Sequence, residues 1–301
     1  MSAFIHQLDD HVLHSRHPWR RGAGLAIAVA GTVILAAHGV AALLDALESS
    51  GMTGALLGGM AGAAATAAGA VAMLFLGKLN GRREDQLMAF AAGVMLAAAI
   101  VSLFIPAIEA AAPVFGNASP LAVLLALGAG VGLMLGLDKA LPHAHAVSGV
   151  HGPATHASRG LLLALALFLH NFPEGMAVGI AASGGAGAVV PVALAIAVQD
   201  VPEGLLVALA LGAAGMNLQR AVLLGAATGL AEPVGAWIAA TVLGDNPALY
   251  PVGLAFAAGA MGFVVFHEML PELKSRGGLP QVSGALAGGI ALMLGVALFL
   301  G

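Results

Sequence analysis

Two six-residue stretches carry the chemistry of this chain: His170-Asn171-Phe172-Pro173-Glu174-Gly175 and Gln199-Asp200-Val201-Pro202-Glu203-Gly204. In each, two adjacent polar side chains are followed by a proline and a glutamate. On a helix, His170 and Glu174 share a face, and Gln199 and Glu203 repeat that spacing. Asp200 falls on the same side as Glu203, and Asn171 sits beside His170. Glu232 adds a further carboxylate near the middle of a later apolar segment. One imidazole, two amides and four carboxylates form a donor set that suits a borderline divalent cation such as Zn²⁺. The chain has no cysteine, so thiolate ligands are excluded. Fe²⁺, Mn²⁺, Cd²⁺ and Co²⁺ stay open on donor type alone.

These residues lie where charge is costly. The chain has 301 residues, of which 60% are hydrophobic and 9% charged. A soluble domain carries about a quarter charged residues, so the bilayer is the expected solvent. A transmembrane helix needs about 20 mainly apolar residues. About nine such spans are predicted, at 24–46, 53–77, 86–111, 119–141, 158–182, 188–213, 219–242, 249–273 and 280–300. The expected fold class is an all-α polytopic membrane protein. Arg16, Arg20, Arg21, Lys78, Arg82, Arg83, Lys139, Arg159, Arg220, Lys274 and Arg276 then all fall on one side. By the positive-inside rule that side is cytoplasmic, which places the N-terminus inside and the C-terminus outside.

The two motifs sit on consecutive antiparallel spans and so reach similar depth. No Lys or Arg lies at that depth, and a central charge costs roughly 2.5–3.5 kcal/mol. Protonation or bound cations can offset that cost, and two divalent ions would balance four carboxylates. Pro173 and Pro202 leave the carbonyls of Leu169 and Val198 without a helical donor. The expectation is a broken helix at each, with backbone exposed to a cavity. Pro106, Pro233 and Pro271 stand in the same way near Ser102, Glu232 and His267.

Other residues mark the ends of a path. Met95 is mid-span in the third segment, with Ser102 further along. Glu109 lies at the outer end, where it either draws cations toward an entrance or is a solvated acid. His267, Glu268 and Glu272 lie at the inner end of the eighth span and read as an exit relay. The inner loop at 142–157, rich in Gly, Ala and Ser, carries His143, His145, His151 and His156. It reads as mobile and as either a weak metal contact or a solvated linker.

The paired hexapeptides resemble the metal-site motifs of the ZIP (Zrt/Irt-like protein) divalent metal transporters. The similarity covers about 86–301, with Glu232-Pro233, His267-Glu268 and the His-containing inner loop in their expected places. The chain looks like a bacterial member with an N-terminal tail at 1–23, an extra span at 24–46 and an eight-span transporter domain at 53–301. The resemblance implies a binuclear centre. His170, Glu174, Gln199 and Glu203 would form one site. Asn171, Asp200 and Glu232 would form the other, with Glu174 and Glu203 bridging. Met95 matches a position that contacts the metals. Ser102 and Glu109 match the outer path, and His267 and Glu268 match exit ligands, with His143 and His145 on the same side. The family further implies Zn²⁺ as main substrate, a homodimer, and movement of one helix bundle past another. Many members carry a second His where Asn171 or Gln199 stands.

The expected function is therefore uptake of divalent metal, Zn²⁺ first with Cd²⁺, Fe²⁺ and Mn²⁺ as further candidates, by alternating access in a bacterial inner membrane. No catalytic cofactor and no nucleic-acid partner is expected. An intramembrane metallohydrolase is the competing reading. It would need an open metal position and a general base, yet the chain lacks His-Glu-x-x-His and duplicates its carboxylates symmetrically. A metal sensor is a third reading, for which the small cytoplasmic parts leave little room for an output domain.

Overall fold

In lipid every backbone polar group must be satisfied within the protein, and a helix does this within one segment. Among the described residues the apolar segments are accordingly helical. The computed structural model describes residues 51–76, 80–140, 143–145, 149–151, 159–243, 246, 248–276 and 279–300. The chain divides into two units, Met1–Asp45 and Ala46–Gly301, and the description concerns the second. The predicted tail at 1–23 and span at 24–46 lie outside the described residues.

The helices are α1 (Met52–Leu76), α2 (Gly81–Ala98), α3 (Ile105–Phe115), α4 (Ser119–Ala140), α5 (Arg159–Ser183), α6 (Ala186–Ala213), α7 (Leu218–Thr228), α8 (Ala231–Leu243), α9 (Leu249–Phe263), α10 (Leu270–Arg276) and α11 (Ser283–Leu300). Among the described residues, six helical stretches are long and apolar enough to cross a membrane, and Ser283–Leu298 adds a shorter apolar helix. One of the six, Gly81–Ala140, contains two runs. Gly116, at φ +53°, ends α3, and α4 packs back against it. A left-handed residue at that point favours glycine. The protein is a multi-pass membrane protein.

Glycine sets how the helices pair. A Cβ on Gly69 would lie 2.0 Å from the Val201 carbonyl oxygen, and one on Gly204 2.0 Å from that of Thr66. This brings the α1 and α6 backbones into contact. Gly175 and Gly235 do the same for α5 and α8, Gly130 and Gly259 for α4 and α9, and Gly93 and Gly289 for α2 and α11. Small residues permit such close approach in lipid. The glycine that ends each hexapeptide is therefore a packing residue: Gly175 lies against Glu232 of α8, and Gly204 against Thr66 of α1.

Two sets of helices result. One holds α1, α5, α6, α7 and α8, and the other holds α2, α3, α4, α9, α10 and α11. Where the sets meet, α2 packs on α6 and α5 on α9. There Gly253 faces the Ile180 side chain and Gly184 the Tyr250 ring, not backbone.

One expectation needs correction. The helices do not break at Pro173 or Pro202, since α5 and α6 run through both. A proline removes one hydrogen bond, and neighbouring turns carry the helix past it. The seventh span, predicted over 219–242, corresponds to the apolar stretch Leu218–Val242, whose helix is interrupted at Gly229 and Leu230. Distortion also appears as two π segments, Ala99–Phe104 and Val264–Met269. Ile105 N–H donates five residues back to Ile100, and Leu270 N–H to Val265. Each donor directly precedes a proline, Pro106 or Pro271. Within the inner loop, β1 (His143–His145) runs antiparallel to β2 (Gly149–His151), with His143 opposite His151.

Candidate metal centre

The two hexapeptides meet where α5 and α6 pack together. Asn171, Glu174, Gln199, Asp200, Glu203 and Glu232 are all buried. One carboxylate oxygen from each of Glu174, Asp200 and Glu203 lies within 4.8 Å of the others. The i, i+4 spacing does this directly, because it turns the polar residues of each helix toward its partner.

Each motif's amide holds the other motif's glutamate. Gln199 Nε2 donates to Glu174 Oε1. Asn171, with its amide nitrogen turned to face acceptors, donates to Glu203 Oε1 at 2.8 Å and to the Leu167 carbonyl at 3.0 Å. Glu232 comes from the first turn of α8, just after the interruption. A carboxylate there meets the positive end of the helix dipole. Thr66 of α1 donates its hydroxyl to Glu232 Oε1 at 3.1 Å. Glu174 Oε2, Gln199 Oε1, both Asp200 oxygens and Glu232 Oε2 are buried without a hydrogen-bond partner. Buried acceptors are rarely left so, and among the described residues no Lys or Arg pairs with these carboxylates. Open oxygens converging in a buried space are a donor set for a cation.

His170 is also at the centre, but it faces the other helix set. Its Nε2 lies 2.6 Å from Glu268 Oε2 in the π segment before α10. A cavity of about 320 Å³ begins here, lined by His170, Glu203, Glu268 and Met95, and continues to Glu84, Glu272 and Arg276. At that end Arg276 bonds Glu272 at 2.7 Å and lies 3.6 Å from Asp85.

The remaining sequence candidates are dispersed. His267 is separated from Glu268: it stacks on Phe263 with ring centroids 4.5 Å apart and lines a second, largely apolar cavity of about 490 Å³ with Phe104 and Phe266. Ser102 lies in the first π segment, partly buried. Glu109 is exposed on α3. His143 and His145 lie on β1, which packs near α5. Sequence reasoning missed Thr66 and Gly62. A Cβ on Gly62 would lie 1.5 Å from Glu232 Oε2, so only glycine leaves room for that carboxylate.

A glycine-seamed helical membrane protein with a buried carboxylate centre opening into a cavity is the class that fold and site define. Residues 139–301 match the family described as ZIP Zinc transporter. The zinc transporter ZIPB of Bordetella bronchiseptica is 44% identical over 275 residues, 90% of this chain and 89% of the relative. The zinc transporter GufA of Myxococcus xanthus is 38% identical over 258 residues, 84% and 99%. The zinc transporter ZupT of Clostridium perfringens is 29% identical over 263 residues, 78% and 92%. The chain belongs to the ZIP zinc transporter family.

Proposed function

We propose that this protein takes up divalent metal, Zn²⁺ foremost, through a two-ion centre at the membrane midplane. The observation that carries the reading is the convergence of Glu174, Asp200 and Glu203 within 4.8 Å, buried, beside open oxygens of Glu232 and Gln199. His170, Glu174, Gln199 and Glu203 hold one ion. Asn171, Asp200 and Glu232 hold the other, with Glu174 and Glu203 shared. Two divalent ions balance four carboxylates. The zinc transporter names of the relatives support Zn²⁺ as cargo. Fe²⁺, Mn²⁺ and Cd²⁺ are secondary cargo on donor type.

Met95 and Glu268 flank the cavity along which the ion leaves. Ser102 and Glu109 belong to the outer approach, and His143, His145 and His267 to the inner side. The two helix sets support alternating access: backbone-to-backbone glycine seams lie within each set, whereas side chains meet between them. The reading includes nine spans, the first at 24–46 after a tail at 1–23, with the transporter domain at 53–301. The N-terminus is inside, the C-terminus outside, and the assembly is a homodimer in the bacterial inner membrane. A hydrolase is disfavoured because the relatives are named transporters and His-Glu-x-x-His is absent.

Proteoliposomes enclosing a zinc indicator test this. Glu203→Ala removes a shared ligand and should lower zinc flux by at least the roughly 10–100-fold that losing a partner of a metal ligand costs. Parent-like flux would refute the site.

A further inference from the structure

We propose that Thr66 is a positioning residue: by occupying one oxygen of Glu232 it makes that glutamate a one-oxygen ligand and tilts the centre toward Zn²⁺ over Mn²⁺. This rests on the metal-centre reading above.

Helix α1 carries no ionisable side chain, so its part in the centre is steric and through hydrogen bonding. Thr66 is fully buried, and its hydroxyl donates to Glu232 Oε1 at 3.1 Å. A threonine inside a helix often bonds its own preceding turn, but this one reaches a residue on another helix. Its place is fixed from two sides. The α6 backbone closes on its carbonyl, where a Cβ on Gly204 would lie 2.0 Å away, and a Cβ on Gly229 would lie 2.9 Å from the Thr66 Cβ.

The other oxygen is treated differently. One turn before Thr66, a Cβ on Gly62 would lie 1.5 Å from Glu232 Oε2 and 2.9 Å from Asp200 Oδ2. These two oxygens therefore border one small space, where they face each other and take no donor from the rest of the protein. Glu232 has one oxygen engaged by protein and one open beside Asp200. The hydrogen bond takes one lone pair of Oε1 and holds that oxygen toward Thr66, so a carboxylate held this way presents a cation chiefly with its other oxygen. Zinc is satisfied by few ligands in a tetrahedral arrangement. Mn²⁺ suits oxygen-rich octahedral sites. Releasing Oε1 gives the centre an extra oxygen and favours Mn²⁺ relative to Zn²⁺.

The test is competition of Mn²⁺ against zinc uptake by the full chain in proteoliposomes, with Thr66→Ser, Thr66→Val, Thr66→Ala and Glu203→Ala beside the parent. Serine keeps the donor, and its ratio of zinc to manganese preference should match the parent's. Valine and alanine lose the donor, and the ratio should fall on the order of tenfold, the scale of a hydrogen bond to a charged group. Alanine is smaller than threonine and keeps the test alive if valine overpacks. Parent-like ratios in both donor-less variants would overturn the proposal. So would a serine variant that falls with them, because packing and not donation would then be responsible. If Glu203→Ala transports zinc like the parent, the metal-centre reading fails. If it is inactive while the donor-less variants keep the parent's ratio, only the role of Thr66 fails.

Discussion

His170 Nε2 and Glu268 Oε2 lie 2.6 Å apart, and they belong to different helix sets. His170 is on α5, beside Glu174 and the other proposed ligands. Glu268 is on the π segment between α9 and α10. The same imidazole nitrogen cannot bond Glu268 and hold a metal ion at once. Occupancy of the centre is thereby tied to a contact between the two sets. Glu268→Ala should slow zinc flux while lowering equilibrium zinc binding less than His170→Ala does. Flux in proteoliposomes and titration of purified protein separate the two effects. Equal loss of binding in both variants would make Glu268 an ordinary ligand.

Glycine at position 62 is a condition for the centre. A methyl group there meets Glu232 Oε2 at 1.5 Å, so the carboxylate must turn away. Gly62→Ala should abolish zinc flux and cost about 1–3 kcal/mol as overpacking. Gly128→Ala is the control, because its methyl would meet nothing within 4 Å. Surface changes of that kind stay within about 0.5 kcal/mol. Uptake together with thermal unfolding reads both.

The cross-bonded amides predict how metal affects stability. Gln199 neutralises none of the charge on Glu174, and Asn171 none on Glu203, so the carboxylates still favour a cation. Zinc at a hundredfold excess over its Kd should stabilise the parent by about 2.7 kcal/mol for each ion bound, and a chelator should reverse this. Asp200→Ala should lose most of that gain. Thermal unfolding with and without zinc is the measurement, and an unchanged gain in the variant would remove Asp200 from the site.

Sidedness can be read with single cysteines, since the native chain has none. Asn117, between α3 and α4, and Ser275, near the end of α10, are both exposed. A membrane-impermeant maleimide should label Asn117→Cys on intact cells, and Ser275→Cys only after permeabilisation. The opposite pattern would invert the proposed topology.

Much of this was legible because lipid leaves few choices. An apolar run of sufficient length must be helical, and the predicted segment at 188–213 corresponds to α6 at Ala186–Ala213. Glu174, Asp200 and Glu203 could be brought together by spacing alone, since two antiparallel helices with i, i+4 acids can face each other. Thr66 and Gly62 could not be found that way. They sit in an Ala/Gly-rich helix where nothing distinguishes one small residue from another until the partner helix is in place. That His267 and Glu268 cannot share one face was legible, since neighbours on a helix point about 100° apart, but the contact of Glu268 with His170 was not. Prolines were misleading for a related reason. Pro173 and Pro202 leave their helices continuous, whereas Pro106 and Pro271 follow widened turns, and sequence does not say which outcome a proline takes.

On the proposed function, the carboxylates of Glu174, Asp200 and Glu203 hold the transported ion. Diffraction from zinc-soaked crystals, collected on both sides of the zinc absorption edge, tests it most directly. An anomalous peak among those three carboxylates, lost in Glu203→Ala, is the predicted result. A transport-competent protein with no anomalous peak there would contradict it.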